Sequence, residues 1–268
     1  MNILILGDIV GPSGREALKN NLDKIIKEKN ISFVVVNGEN SADDGRGITR
    51  KIAEEFFSLG VDVITSGNHI WDKNDTADFI LKESRLLRPA NLAQGSPGNG
   101  FGVYSTNNKK FKVAVMNLMG NVFMRKTEDV FLSALHLQKK IKLKEDADFI
   151  IVDFHGEITS EKMAMGHFFD GKATMVVGTH THVPTADSRI LNNGTAYQTD
   201  IGMCGDYNSV IGMDKDNSIM KFLKNKEAKN HFPALGAGTL SGLIVEADEK
   251  TGLAIKIERF IEGGVFKN

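Results

Sequence analysis

The sequence predicts an α/β fold in which helices pack on a largely parallel or mixed sheet. Short β-branched runs alternate with amphipathic helical patterns over the first two thirds of the chain, as they do where helices connect strands. The last third turns to strands and tight turns. No proline-rich or serine-rich linker, repeat or low-complexity tract divides the chain, so residues 1–268 read as one domain.

The elements follow in order. Asn2–Leu6 reads as the first strand, and a helix over Gly14–Glu28 follows, with Ser13 and Glu16 at capping-box spacing. Ser32–Val36 is the second strand, and Thr49 is placed to cap a helix over Arg50–Leu59. Val61–Thr65 leads to a helix at Asp75–Lys82. Lys112–Asn117 precedes a helix over Glu128–Ile141, with Thr127 as its cap. Phe149–Asp153, a helix at Glu161–Phe169, and Thr174–Val177 complete the alternation. Beyond Ser188, Arg189–Leu191 and Ala196–Thr199 read as strands about a turn at Asn192–Gly194, and Lys215–Lys224 as a helix. Leu240–Glu246 and Leu253–Phe260 form a closing hairpin about Asp248–Gly252.

Composition excludes several classes. With 41% hydrophobic and 25% charged residues, the chain can bury a core without disulfides. Its single cysteine, Cys204, has no internal partner and reads as a small buried hydrophobe in a reducing, cytoplasmic setting. Met1–Leu6 is too short for a signal segment, and no run approaches the ~20 apolar residues of a membrane span. Net charge is −1, from 33 Lys+Arg against 34 Asp+Glu, which argues against bulk capture of nucleic acid. The lysines of Lys139–Lys144 read as a solvated helix end.

Five apolar runs end almost directly on metal-competent residues. ILILGD ends on Asp8, FVVVNGEN on Glu39 and Asn40, and VDVITSGNH on Asn68 and His69. FIIVDFHGE carries His155, and ATMVVGTHTH ends on His180 and His182. Singly each is weak: Asp8 and Asn68 suit turns or caps, and His155 suits a core. In extended chain, His180 and His182 at i and i+2 would project to one side. Strands running the same way would gather all five loops at the carboxyl edge of a sheet, where α/β proteins bind ligands. The donor mixture suits two divalent ions ~3.5–4 Å apart, which can hold a bridging hydroxide and clamp an in-line phosphoryl displacement. Of the six strand runs in the first two thirds, only Lys112–Asn117 lacks an obvious carboxylate or imidazole ligand at its end.

The order GD…GEN…GNH…FHGE…GTHTH resembles the calcineurin-like metallophosphoesterases, and among them the bacterial YmdB-like branch described as 2′,3′-cyclic nucleotide phosphodiesterases. The usual D-x-H histidine is Val10 here, the usual bridging aspartate is Glu39, and G-H-x-H carries one inserted residue. These departures are typical of that branch. The resemblance implies a four-layer α/β/β/α sandwich of two mixed sheets. It implies one metal on Asp8, Glu39, Asn40 and His182, and a second on Glu39, Asn68, His155 and His180, with Glu39 bridging. His69 is implied as the general acid, an orienting role being the alternative. Iron is the implied metal, with manganese or zinc also compatible with oxygen and nitrogen donors.

The implied substrate is a small phosphodiester. A phosphomonoesterase or nucleotidase using the same metals is the runner-up, and a metal-dependent docking protein for RNA-processing partners is the reading from another class. Symmetric self-association is common among soluble proteins, so a homo-oligomer is compatible with the sequence. Ser41–Gly47 reads as a mobile loop beside Glu39, with Arg46 a phosphate or base contact. Gly11–Arg15 offers an anion-binding helix N-terminus or a plain helix start, and Asp206 and Tyr207 are further candidates for the cleft.

Overall fold

The computed structural model describes residues 1–266, and the continuous apolar runs become strands buried on both faces. In chain order these are β1 (Asn2–Ile9), α1 (Gly11–Glu28), β2 (Ile31–Asn37), α2 (Arg50–Ser58), β3 (Val63–Thr65), α3 (Thr76–Ile80), β4 (Phe101–Ser105) and β5 (Lys112–Met119). Then come α4 (Val130–Lys140), β6 (Phe149–His155), α5 (Thr159–Phe169), β7 (Met175–Thr179), β8 (Arg189–Ile190) and β9 (Ala196–Gln198). The chain continues through β10 (Met203–Cys204), α6 (Lys215–Phe222), β11 (Thr239–Ala247) and β12 (Ala254–Gly263). One sheet has the order β12-β11-β1-β2-β3, with β10 alongside β1, and the other β4-β5-β6-β7-β9-β8. β1, β2, β3 and β10 are parallel, as are β5, β6, β7 and β9, while β11 and β12 in the first sheet and β4 and β8 in the second are joined by antiparallel pairing.

Side-chain alternation builds the layers. Ile3, Ile5, Phe33 and Val35 of the first sheet meet Val115, Phe149, Ile151 and Val177 of the second in a core between the sheets. The opposite residues, Leu4, Leu6, Val34 and Val36, pack on Leu18, Leu22 and Phe56 of α1 and α2. Ile150, Val152 and Phe154 pack on Ala134, Leu137 and Met165 of α4 and α5. Helices, sheet, sheet, helices: the fold is the four-layer α/β/β/α sandwich.

Several local expectations fail for tertiary reasons. α1 begins at Gly11, its N-cap Val10 makes no side-chain capping bond, and the Ser13 hydroxyl donates instead to the Ala234 carbonyl, 3.0 Å away. Thr49 does cap α2, but α4 is capped by Asp129, because Thr127 accepts from Asn91 and Asn121. α3 shrinks to Thr76–Ile80, and α5 starts earlier than expected, at Thr159. The edge strand β4 and the short β10 were not foreseen; in β4 the large side chains are only partly buried.

One buried carboxylate has a testable consequence. Asp62 accepts from the Val34 backbone N–H at 2.8 Å, and burial pushes its carboxyl up to about 6 from 3.8. The folded state therefore binds this proton more tightly than the unfolded state. The penalty for ionising it is absent below the unfolded value and complete above about 6. Asp62→Asn, which keeps an acceptor for Val34, should stabilise the protein at pH 7.5 by about 2–3 kcal/mol, the gain vanishing near pH 3.5. Chemical denaturation at the two pH values checks this; an equal effect at both would contradict it.

Candidate metal centre

At the carboxyl ends of the parallel strands, the inter-sheet layer changes from apolar to polar. Asn37, Thr65, Asn117, Asp153 and Thr179 continue the inward-facing positions of β2, β3, β5, β6 and β7, and all are buried. Asp153 accepts from Asn37 at 3.0 Å and from the Thr179 hydroxyl at 2.7 Å, and from Thr65 as well. Asn117, on the strand without a ligand, clamps Ser66 by accepting from its N–H and donating to its carbonyl, each at 2.9 Å. This fixes the turn that carries Asn68 and His69.

The candidate ligands stand on this polar floor. Leu6 and Ile9 both join the outer helical core although three residues apart, which a regular strand forbids. The register shift between Leu6 and Asp8 resolves the conflict by turning Asp8 inward. Gly67 lets the turn close: a Cβ there would lie 2.2 Å from the His155 ring and 2.4 Å from Glu39 Oε2. His180 and His182 do not converge by strand alternation, as the sequence suggests. β7 ends at Thr179, and both histidines take left-handed backbone, φ 101° and 65°. Such conformations are uncommon for side-chain-bearing residues and gather at functional sites. The loop is held by Asp200, which accepts from Thr181 N–H at 3.1 Å and is paired at 2.7 Å with the buried Lys162.

All eight predicted residues meet in one cleft or at its floor. His155 Nε2 lies 2.9 Å from Glu39 Oε1, 3.1 Å from Asn68 Oδ1 and 3.0 Å from His180 Nδ1. Asp8 Oδ1 is 3.8 Å from both His155 Nδ1 and His182 Nε2. Glu39 Oε2 accepts from the His69 N–H at 3.0 Å, and Asn40 lines the cleft beside them. His69 Nδ1 contacts Asp72 Oδ2 at 2.7 Å, an acidic partner that the sequence reading missed.

Hydrogen bonding sets the tautomers. The Thr179 hydroxyl is donated to Asp153, so at 3.0 Å it accepts from His155 Nδ1. The Ile211 carbonyl, 2.8 Å away, requires a proton on His182 Nδ1. Glu157, 3.2 Å from His180 Nε2, favours the proton there and leaves Nδ1 bare toward the cluster. Nε2 of His182 and Nδ1 of His180 are thereby left as lone-pair donors, and Nε2 of His155 becomes one once it gives up the proton it shares with Glu39.

These atoms fit cations. Octahedral bonds of about 2.1 Å put neighbouring donors about 3.0 Å apart, close to the spacings around His155 Nε2. Among the described residues Asp8 Oδ1 and Asn40 Oδ1 are buried without a hydrogen-bond partner, the Asn40 amide nitrogen being committed to the Gly45 carbonyl at 2.9 Å. Burial pushes Asp8 up to about 6. Burial opposes charge on His155 too, yet Glu39 and Asp8 draw its pKa up to about 9, while His155 in turn helps to lower Glu39 to about 2. Burial and the neighbouring His155 depress His180 to about 3, keeping it neutral. The two buried carboxylates thus hold a proton on His155, and a metal cation would take that proton's place while meeting the bare oxygens of Asp8 and Asn40.

Similarity to known proteins agrees with this arrangement. A family profile described as YmdB-like protein matches residues 4–260. The chain is 44% identical, over 261 residues covering 97% of each sequence, to the 2′,3′-cyclic-nucleotide 2′-phosphodiesterase of Bacillus subtilis strain 168. The chain belongs to the YmdB-like family. Its fold superposes on a crystal structure described as a novel phosphatase from Mycoplasma pneumoniae, with TM-score 0.89, 37% identity and coverage of 98% and 93% of the two chains. A 5′-nucleotidase from Candida albicans shares the fold at TM-score 0.55 and 13% identity, over 97% of this chain and 51% of that one. These likenesses make the chain a phosphodiesterase-type hydrolase of the metallophosphoesterase kind.

Other expectations for this YmdB-like chain change with the geometry. The Ser41–Gly47 loop carries ion pairs to its neighbours: Arg15 pairs with Asp43 at 2.6 Å, and Lys73 with Asp44 at 2.7 Å. Arg15 is thereby paired, and Gly11–Arg15 forms the first turn of α1. Asp206 and Tyr207 serve the scaffold, Asp206 holding Gly236 N–H at 2.9 Å and the Tyr207 hydroxyl the Met203 backbone at 3.0 Å. Cys204 is buried beside β1, and burial pushes its thiol up to about 12. No helix among the described residues is long and apolar enough to cross a membrane. The floor residues had a legible signal: each is a polar residue inside or ending an apolar run, and Asn37 and Asp153 lie two positions before Glu39 and His155.

Proposed function

We propose that this phosphodiesterase is dinuclear and acts on 2′,3′-cyclic nucleotides. The observation that carries the reading is the knot of donor atoms about 3 Å apart around His155 Nε2, beside the unpartnered oxygens of Asp8 and Asn40. Glu39, Asn68, His155 and His180 form one knot of contacts, which supports their holding one ion. Asp8 and His182, 3.8 Å apart, with Asn40 nearby, would hold a second ion, and Glu39 is the acidic residue that the resemblance assigns to both. Such ions supply Lewis acidity toward the phosphoryl oxygens and lower the pKa of water. Iron is the metal that the YmdB-like resemblance implies, and the donors, all oxygen and nitrogen, suit it.

The chain's own residues do the rest. His69, at the rim of the cleft, donates a proton to the departing ribose oxygen, and Asp72 orients its ring and offsets the imidazolium charge. Arg46 lines the same cleft, where a cation suits an anionic substrate. The lone buried Cys204 favours a cytoplasmic setting. Side-by-side steady-state rates on a 2′,3′-cyclic nucleotide and on a nucleoside monophosphate test the substrate reading. The cyclic diester should be the faster substrate, and a faster monoester would replace this reading with a nucleotidase.

A further inference from the structure

The wall of the cleft facing the ligands contains a residue that the fold alone does not explain. Val210 and Met213 exchange backbone hydrogen bonds of 2.9 and 3.0 Å about a two-residue turn, Ile211–Gly212. Both central residues have positive φ, 49° and 91°, the geometry of a type I′ turn. That turn favours Asn-Gly, and a β-branched residue is among the worst choices for its first position. Ile211 gains little burial there, being 50% exposed. Its carbonyl accepts from His182 Nδ1, but a carbonyl is the same for every residue type. The side chain is what needs a reason.

Ile211 continues an apolar wall. Val210, Met213 and Phe222 line the same cleft, of about 510 Å³, that holds Glu39, His180 and His182. Phe222, on the last turn of α6, is 82% exposed and has no aromatic partner among the described residues. A polar catalytic floor beside an apolar, aromatic-bearing wall suits a ligand with a phosphate at one end and a flat ring at the other. In a 2′,3′-cyclic nucleotide the base hangs from the carbon adjacent to the one bearing the 2′ oxygen. Its seat must therefore adjoin the ligands, and the Ile211 carbonyl bound to His182 puts this wall there. Resting on the cyclic-nucleotide reading above, we propose that Ile211, Met213 and Phe222 form the nucleobase subsite and set the preference for nucleosides over base-free cyclic diesters.

The test compares kcat/KM for 2′,3′-cyclic AMP with that for glycerol 1,2-cyclic phosphate, which has the strained diester and no base. In the wild type the nucleotide should be preferred. Phe222→Ala and Ile211→Asn should each lower the preference about ten-fold, chiefly through KM, as for loss of one stacking partner. Ile211→Asn should at the same time raise the melting midpoint by about 2–4 °C, because Asn suits the turn. A merely structural Ile211 would not lose specificity while gaining stability. An unchanged preference in both variants overturns the subsite. So does an unchanged preference with a smaller particle by light scattering, which would assign the wall to a second copy of the chain. Equal wild-type rates on both diesters would overturn the subsite alone. Hydrolysis of neither would overturn the cyclic-nucleotide reading as well.

Discussion

Glu39→Gln should lower kcat on a 2′,3′-cyclic nucleotide by at least about 10³-fold and leave fewer than two metal ions per chain. Glu39 is buried, its Oε1 lies 2.9 Å from His155 Nε2, and its pKa is drawn down to about 2 by His155 and His69 against the effect of burial. It is the residue that both proposed ligand sets share. The amide has the same shape but no charge, so two adjacent cations would lose the anion between them. Charge stabilisation by such ions is worth several kcal/mol in the transition state, which corresponds to at least the stated factor. Metal analysis alongside steady-state rates checks both halves. A Glu39→Gln protein that keeps two ions and near-normal turnover would remove the bridge from the account. A cellular phenotype that survives the loss of turnover would instead favour the docking role.

His69→Ala should cost about 10²–10⁴-fold in kcat on the same substrate, the usual contribution of a positioned general acid, without loss of metal. The discriminating comparison is bis(4-nitrophenyl) phosphate, whose leaving group departs without a proton. On that diester the loss should shrink to less than about ten-fold. If both substrates lose equally, His69 orients the substrate rather than protonating the leaving oxygen. Asp72, whose Oδ2 lies 2.7 Å from His69 Nδ1, is the residue through which this role would be tuned.

Much of this was legible in the sequence because it depends on residue type and order. Apolar runs such as Phe33–Val36 and Phe149–Val152 had to be buried on both faces, and burial on both faces required two outer layers. Polar residues ending those runs had to meet once the strands ran parallel. What was hidden depended on long-range partners. Ser13 and Thr127 looked like helix caps until Ala234, Asn91 and Asn121 claimed their hydroxyls. The inward turn of Asp8 arises from a register shift with β2, which no local pattern marks. The histidines of GTHTH meet the cluster through left-handed backbone, where alternation predicted extended chain. Asp72, Glu157 and the Lys162–Asp200 pair act through contacts that only the folded chain creates.

Anomalous scattering from crystals of protein prepared without chelators tests the central claim most directly. Two peaks about 3.5–4 Å apart should appear, one within bonding distance of Asn68, His155 and His180, the other of Asp8 and His182, with Glu39 touching both. A single peak elsewhere, or none in active protein, would contradict it.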